Sequence, residues 1–95
     1  LGATSAREVA PMIVALRDRA EDVRRGELDR FRTKLEGLDP VQLEAIEGLT
    51  RGIIGKLLHD PSVVLKDAAG SPRGERLVAS LRELFVLDDD SAPPQ

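Results

Sequence analysis

Between Ala45 and Leu58 the apolar residues fall at Ile46, Leu49, Ile53, Ile54, Leu57 and Leu58. Those are helical spacings of three and four. The stripe covers roughly half the helix circumference, wider than the ~100° of an ordinary surface helix. A helix patterned this way needs cover from more than one side. The run stops at His59, Asp60 and Pro61. Asp60 has the chemistry of an N-cap, and Pro61 suits a first helical position. The pattern predicts a helix over 40–59, a junction at His59, Asp60 and Pro61, and a short helix over 61–69. Val63, Val64 and Leu65 would face inward on that short helix.

Upstream, Ser5-Ala6-Arg7-Glu8 has the form of a capping box, so residues 1–4 read as a linker and a long helix follows to about residue 36. Pro11 predicts a kink, or a helix that properly begins there. Val9, Ile13, Leu16, Ala20 and Val23 keep the three-four repeat; Leu28, Phe31 and Leu35 continue it after a step of five. That step swings the stripe by roughly 60–80°. The two halves of the helix are therefore expected to face different neighbours. Thirty helical residues make a rod of ~45 Å. A compact chain of this length has a radius of gyration of ~12 Å, hence a diameter of roughly 30–35 Å. An apolar overhang needs a partner, which makes Ile13, Leu16, Ala20, Val23, Leu28 and Phe31 the candidate interface or shared-core positions.

Gly37-Leu38-Asp39-Pro40 reads as a helix–helix turn, with Gly37 suited to a left-handed C′ position. Asp39, Pro40 and Gln42 form a second capping box, with Leu38 and Leu43 spaced as a hydrophobic staple. So short a link makes its two helices antiparallel neighbours. Gly48, Gly52 and Gly55 lie within ~60° of one another, open either to close backbone approach or to solvent. A turn-rich loop over 70–74 precedes a last helix striped by Leu77, Leu81, Leu84 and Phe85 and widened by Val78. Residues 88–95 read as an acidic disordered tail. The expected fold is all-α: an antiparallel bundle of about four helices, the first long and overhanging, pairing as a homodimer.

Composition narrows the chemistry. The chain has 95 residues, two aromatics (Phe31 and Phe85), no cysteine and a net charge of −3. Its core must be aliphatic, and thiol chemistry is excluded from this stretch. No run is long enough to cross a membrane. The first residue is Leu1 rather than Met, which points to a segment of something longer. Between Arg17 and Glu36 seven basic and six acidic residues interleave. That reads as a solvated face laced with weak ion pairs, not a strip for nucleic-acid phosphates. His59-Asp60 is the one base-and-carboxylate neighbourhood, and no nucleophile accompanies it. Asp88-Asp89-Asp90 is better explained as part of the tail than as a metal site. No catalytic, metal or cofactor-binding residue stands out.

Four blocks, taken together, carry a resemblance: Glu8-Val9-Ala10-Pro11-Met12-Ile13-Val14-Ala15-Leu16-Arg17, Gly55-Lys56-Leu57-Leu58-His59-Asp60-Pro61, Leu65-Lys66, and Leu81-Arg82-Glu83-Leu84-Phe85-Val86-Leu87. Their order and spacing resemble the C-terminal dimerisation domain of glutamyl-tRNA reductase, over roughly residues 5–87. The family often has asparagine where Gly55 stands, and glycine is common where Val86 stands. The resemblance implies a three-domain, cytoplasmic parent enzyme that uses NADPH to reduce glutamyl-tRNA to glutamate-1-semialdehyde, the entry step to tetrapyrroles. It implies that this segment pairs two subunits and carries none of the catalytic or NADPH-binding motifs. A free-standing helical adaptor domain and a nucleic-acid-binding helical domain are the alternatives.

Overall fold

The structure is a computed structural model and describes residues 2–87. The described residues form four helices and no strand: α1 (Gly2–Arg30), α2 (Arg32–Leu35), α3 (Pro40–Ala68) and α4 (Pro72–Phe85). The turn into α3 follows from its capping residues. The Asp39 carboxylate accepts the Gln42 N–H at 2.8 Å, and the Gln42 side-chain oxygen accepts the Asp39 N–H at 3.0 Å. Both halves of the box are therefore made. At α4 the Ser71 hydroxyl accepts the Gly74 N–H at 3.1 Å, and Pro72 occupies the first turn.

Several boundaries differ from expectation. Helix α1 already runs at Gly2 and continues through Pro11, so Ser5 is not its cap and residues 2–4 are helical. The 88–95 tail lies outside the described residues. The long first helix breaks at Phe31, where φ −94° and ψ 8° depart from helical values. Flanking bonds bridge the break: Phe31 N–H donates to Glu27 and the Leu35 N–H to Phe31, both at 3.0 Å. Gly37 does not take a left-handed conformation; Gly70 does, at φ +82°. The chain leaves α2 instead by a tight turn in which the Leu38 N–H donates to the Leu35 carbonyl.

The expected junction at His59, Asp60 and Pro61 is absent, and α3 runs unbroken through all three. Pro61 has no N–H to give the Leu57 carbonyl, a real cost within a helix. Continuity is favoured because Leu58, Ser62, Leu65 and Ala68 then form one buried line. The spacing of that line is four, three and three, one helix face. Of the three residues expected inward on a separate short helix, only Leu65 is buried; Val63 and Val64 are exposed. The Ser62 hydroxyl is buried without a hydrogen-bond partner. An orphan of that kind costs about 1–3 kcal/mol.

The core sits at one end of the molecule. Val9, Met12 and Leu16 of α1 meet Leu58 and Leu65 of α3, with Val78 of α4 and Leu87 beyond it. Leu16, Leu65 and Val78 are almost wholly enclosed. The pairing of Leu16 with Leu58 here, and of Arg24 with Thr50 further along, makes α1 and α3 antiparallel. Toward the other end the two helices run on as a hairpin in which Arg24 is the one buried residue over 21–57. The result is elongated, 55 × 33 × 17 Å with a radius of gyration of 16.5 Å, against about 12 Å for a compact chain of this size.

Two backbone positions stand out. Val86, after α4, has φ 53° and ψ 51°. A β-branched L-residue in that left-handed region carries a penalty of roughly 1–2 kcal/mol. The conformation lets the N–H groups of Val86 and Leu87 both reach the Arg82 carbonyl, and Leu87 then drops into the core. Gly74 packs directly on the end of α3, and a Cβ there would collide with the Ala68 carbonyl.

Gly74→Ala is therefore expected to lower stability by about 1–3 kcal/mol, the range for overpacking against a fixed neighbour. Gly26→Ala, in an open mid-helix position with nothing near its would-be Cβ, should raise it by about 0.5–1 kcal/mol. Urea unfolding of the two variants against the parent chain checks both signs.

Candidate interaction surface

The apolar stripes of α1 and α3 do not close on each other over their full length. They leave a trough made of three joined depressions. The first, about 370 Å³, lies between Val23, Leu28 and Phe31 on one side and Ile46, Ile53 and Ile54 on the other. The second, about 550 Å³, is bounded by Leu16, Ala20 and Val23, then Ile54 and Leu57, then Leu84, Phe85 and Val86. Val23 and Ile54 belong to both, so the two are continuous. A third of about 310 Å³ extends the trough past Leu28, Leu35, Leu43 and Ile46 toward the α2 turn. Open apolar residues line it: Val23 and Ile53 are each 50% exposed, Leu57 69% and Leu84 75%. Among the described residues twelve large apolar side chains are exposed and eight apolar ones are buried. A soluble monomer rarely leaves so contiguous an apolar surface uncovered.

A polar cluster is built into the trough wall around the buried Arg24. The Arg24 guanidinium grips Glu21 with two hydrogen bonds, Nε to Oε1 at 2.9 Å and Nη2 to Oε2 at 2.6 Å. Its Nη1 crosses to the Thr50 hydroxyl of α3 at 3.3 Å. Thr50 in turn donates to the Glu47 carbonyl at 2.9 Å. Arg24 is only 8% exposed. A cation so enclosed must be paired, and this fork geometry pairs it well. The hydrogen bond from Arg24 pulls the Glu21 carboxyl down to about 2, against the opposing effect of burial, with Arg25 assisting. The same bond raises the Arg24 guanidinium above its ordinary value. Nearby, the Phe31 ring at the trough mouth carries Arg30 at 4.5 Å and Lys34 at 5.5 Å from its centroid. Cations over an aromatic face are favourable.

The outer face of α1 is laced with short-range pairs: Arg25 with Glu21, Arg30 with Glu27, and Arg32 of α2 with Asp29. These are the interleaved charges read as a solvated face, and each contributes little. Six positions on the first helix were expected at an interface or shared core. The structure brings Leu16, Ala20, Val23, Leu28 and Phe31 onto the trough. Leu16 is wholly buried within the single chain, and Ile13 packs on the core outside the trough. The opposite wall, Ile46, Ile53, Ile54 and Leu57, was not named as a surface; its signal was the excessive width of the α3 stripe. Leu84 and Phe85 were read as part of the last helix's stripe and Val86 as a position where glycine is common, none of them as a surface, and all three are exposed.

His59 and Asp60 are exposed on α3, while Ser62 points into the core, so the three form no reactive group. Among the described residues no cluster of His, Cys, Asp or Glu is placed to hold a metal ion, and no helix is long and apolar enough to cross a membrane.

A small helical unit with its core at one end, an open apolar trough and a charge-balanced outer face is an association domain. The chain belongs to the glutamyl-tRNA reductase dimerisation-domain family: the model of that family, described as "Glutamyl-tRNAGlu reductase, dimerisation domain", matches residues 2–87. The chain is similar to the glutamyl-tRNA reductase of Natranaerobius thermophilus, 41% identical over 92% of this chain and 19% of the relative. It is likewise similar to those of Chloroflexus aggregans (46% identical, 85% of this chain, 18% of the relative) and Frankia alni (46%, 83% and 17%). It thus spans about a fifth of the length of these curated relatives. No solved structure matches it.

The Glu21–Arg24 pair has a pH signature. Glu21 is depressed in the folded chain, so its contribution is full above the ordinary value of 4.5 and is lost as pH falls through that value toward about 2. Glu21→Gln should therefore be less stable than the parent chain at neutral pH, with the gap closing in that acid window. Urea unfolding at pH steps from 7 to 2 reads the gap directly.

Proposed function

We propose that this domain pairs two copies of its parent protein, each laying the trough of its α1–α3 hairpin against the other's. The observation that carries the reading is the trough itself, flanked by Val23, Ile53 and Leu57, with nothing among the described residues to cover it. A two-helix hairpin beyond the core has too little buried surface to be held rigid alone. Two such hairpins face to face make a four-helix bundle, in which each apolar stripe gains the cover it lacks. Ile13 and Leu16 then belong to the core of each copy, while Ala20, Val23, Leu28 and Phe31 belong to the shared surface.

The parent is proposed to be a glutamyl-tRNA reductase. It would reduce glutamyl-tRNA to glutamate-1-semialdehyde with NADPH, in the cytoplasm, at the head of tetrapyrrole synthesis. This rests on the family and on the names of the relatives. The described residues offer neither a strand–glycine-loop–helix cradle for a dinucleotide nor a nucleophile with a base beside it. The reading therefore places substrate and NADPH on the remainder of the parent. The role of this domain is geometric: it sets the distance and angle between two catalytic arms.

Sedimentation across a dilution series should give a mass twice the 10.3 kDa of the chain. Val23→Asp should leave helicity unchanged and weaken pairing by about 100-fold or more, because a carboxylate would be desolvated at the seam. Leu16→Asp should instead unfold the monomer, since Leu16 is 1% exposed. A folded monomer of the unaltered chain at every concentration would refute the pairing.

A further inference from the structure

We infer that Val86 is a contact residue of the paired state, held in an unfavourable backbone conformation because its side chain is used by a second copy of this chain. The inference rests on the pairing proposed above and names a residue outside the α1–α3 hairpin as part of the seam. Three observations support it. Val86 sits at φ 53°, ψ 51°, where a β-branched side chain is disfavoured and glycine is at ease. Its backbone is fixed there on both sides, by the bonds to the Arg82 carbonyl and by Leu87, which is buried in the core. Yet its own side chain is 74% exposed, so among the described residues the isopropyl group itself gains no burial.

Strain of this kind persists where the surroundings impose it, and it concentrates at functional positions. The backbone conformation is imposed by Leu87, but the isopropyl group is not required by it; glycine would satisfy the same turn. That group lies on the rim of the larger depression, beside Leu84 and Phe85 and opposite Leu57. Leu84 and Leu57 are themselves largely exposed. The four form an apolar lip continuous with the trough through Leu57 and Ile54. A second copy seated in the trough reaches that lip and removes Val86 from water. The occupant is a second copy rather than an unrelated helix, because the chain belongs to a dimerisation-domain family and the lip continues the trough that the proposed pairing fills.

The test is Val86→Gly, with Val86→Ala as a second variant, each followed by sedimentation and by guanidinium unfolding over a wide dilution range. Val86→Gly should raise the unfolding midpoint at the lowest concentrations, where single chains dominate, and should raise the dissociation constant about tenfold or more. Val86→Ala should also weaken pairing, with a smaller gain in the dilute midpoint. A purely structural role would move the midpoint and leave the dissociation constant unchanged. An unaltered chain that pairs, with variants that pair equally well, overturns the assignment of Val86 alone. An unaltered chain that stays single at every concentration overturns the pairing and this assignment together.

Discussion

Helices α1 and α3 are each 29 residues long, and the core they share is much shorter. On α1 it takes Val9, Met12 and Leu16, and on α3 Leu58 and Leu65. Everything else follows from that mismatch in length. Helices stay helical in water mainly by packing an apolar face, not by propensity. Past the core, the inner faces of the hairpin are half-buried and their rims open, so packing is incomplete where the helices are longest. α4 and Leu87 close the near end and add nothing to the far one. The trough is the direct geometric consequence: two long amphipathic helices with a third element covering only part of the seam.

Arg24 shows how a hairpin of this kind keeps its register. An apolar stripe alone permits the helices to slide by a turn with little penalty. A buried guanidinium that must reach both Glu21 on its own helix and Thr50 on the other does not. Removing Glu21 or Thr50 would take away one of the two anchors that fix where the guanidinium sits. The outer ion pairs on α1 and α2 work differently. They are exposed, three or four residues apart, and support helicity and solubility weakly.

Pro61 and Val86 break local preference, as Pro11 does within α1, and both lie at the closed end. Pro61 forgoes a hydrogen bond inside α3, and Val86 adopts a conformation suited to glycine. In each case burial of neighbours decides the backbone. Leu58, Ser62, Leu65 and Ala68 keep one line only if α3 continues past Pro61; Leu87 reaches the core only if the chain turns sharply after Phe85. A proline or a valine is tolerated where the gain from burying several neighbours exceeds its own penalty.

The sequence by itself determined the all-α class, the short capped turn at Asp39 and the antiparallel hairpin it forces. These depend on spacing of three and four and on side chains that cap their own backbone, which are local properties. Tertiary structure alone decided that α3 passes through Pro61, that Gly70 rather than Gly37 takes the left-handed turn, and that Leu16 is enclosed while Val23 stays open. It also decided that Leu84, Phe85 and Val86 extend the trough. Those outcomes depend on which apolar residues from distant elements meet, and on how far a core of limited size can reach along helices longer than itself. Neither quantity is written in the spacing of any single segment.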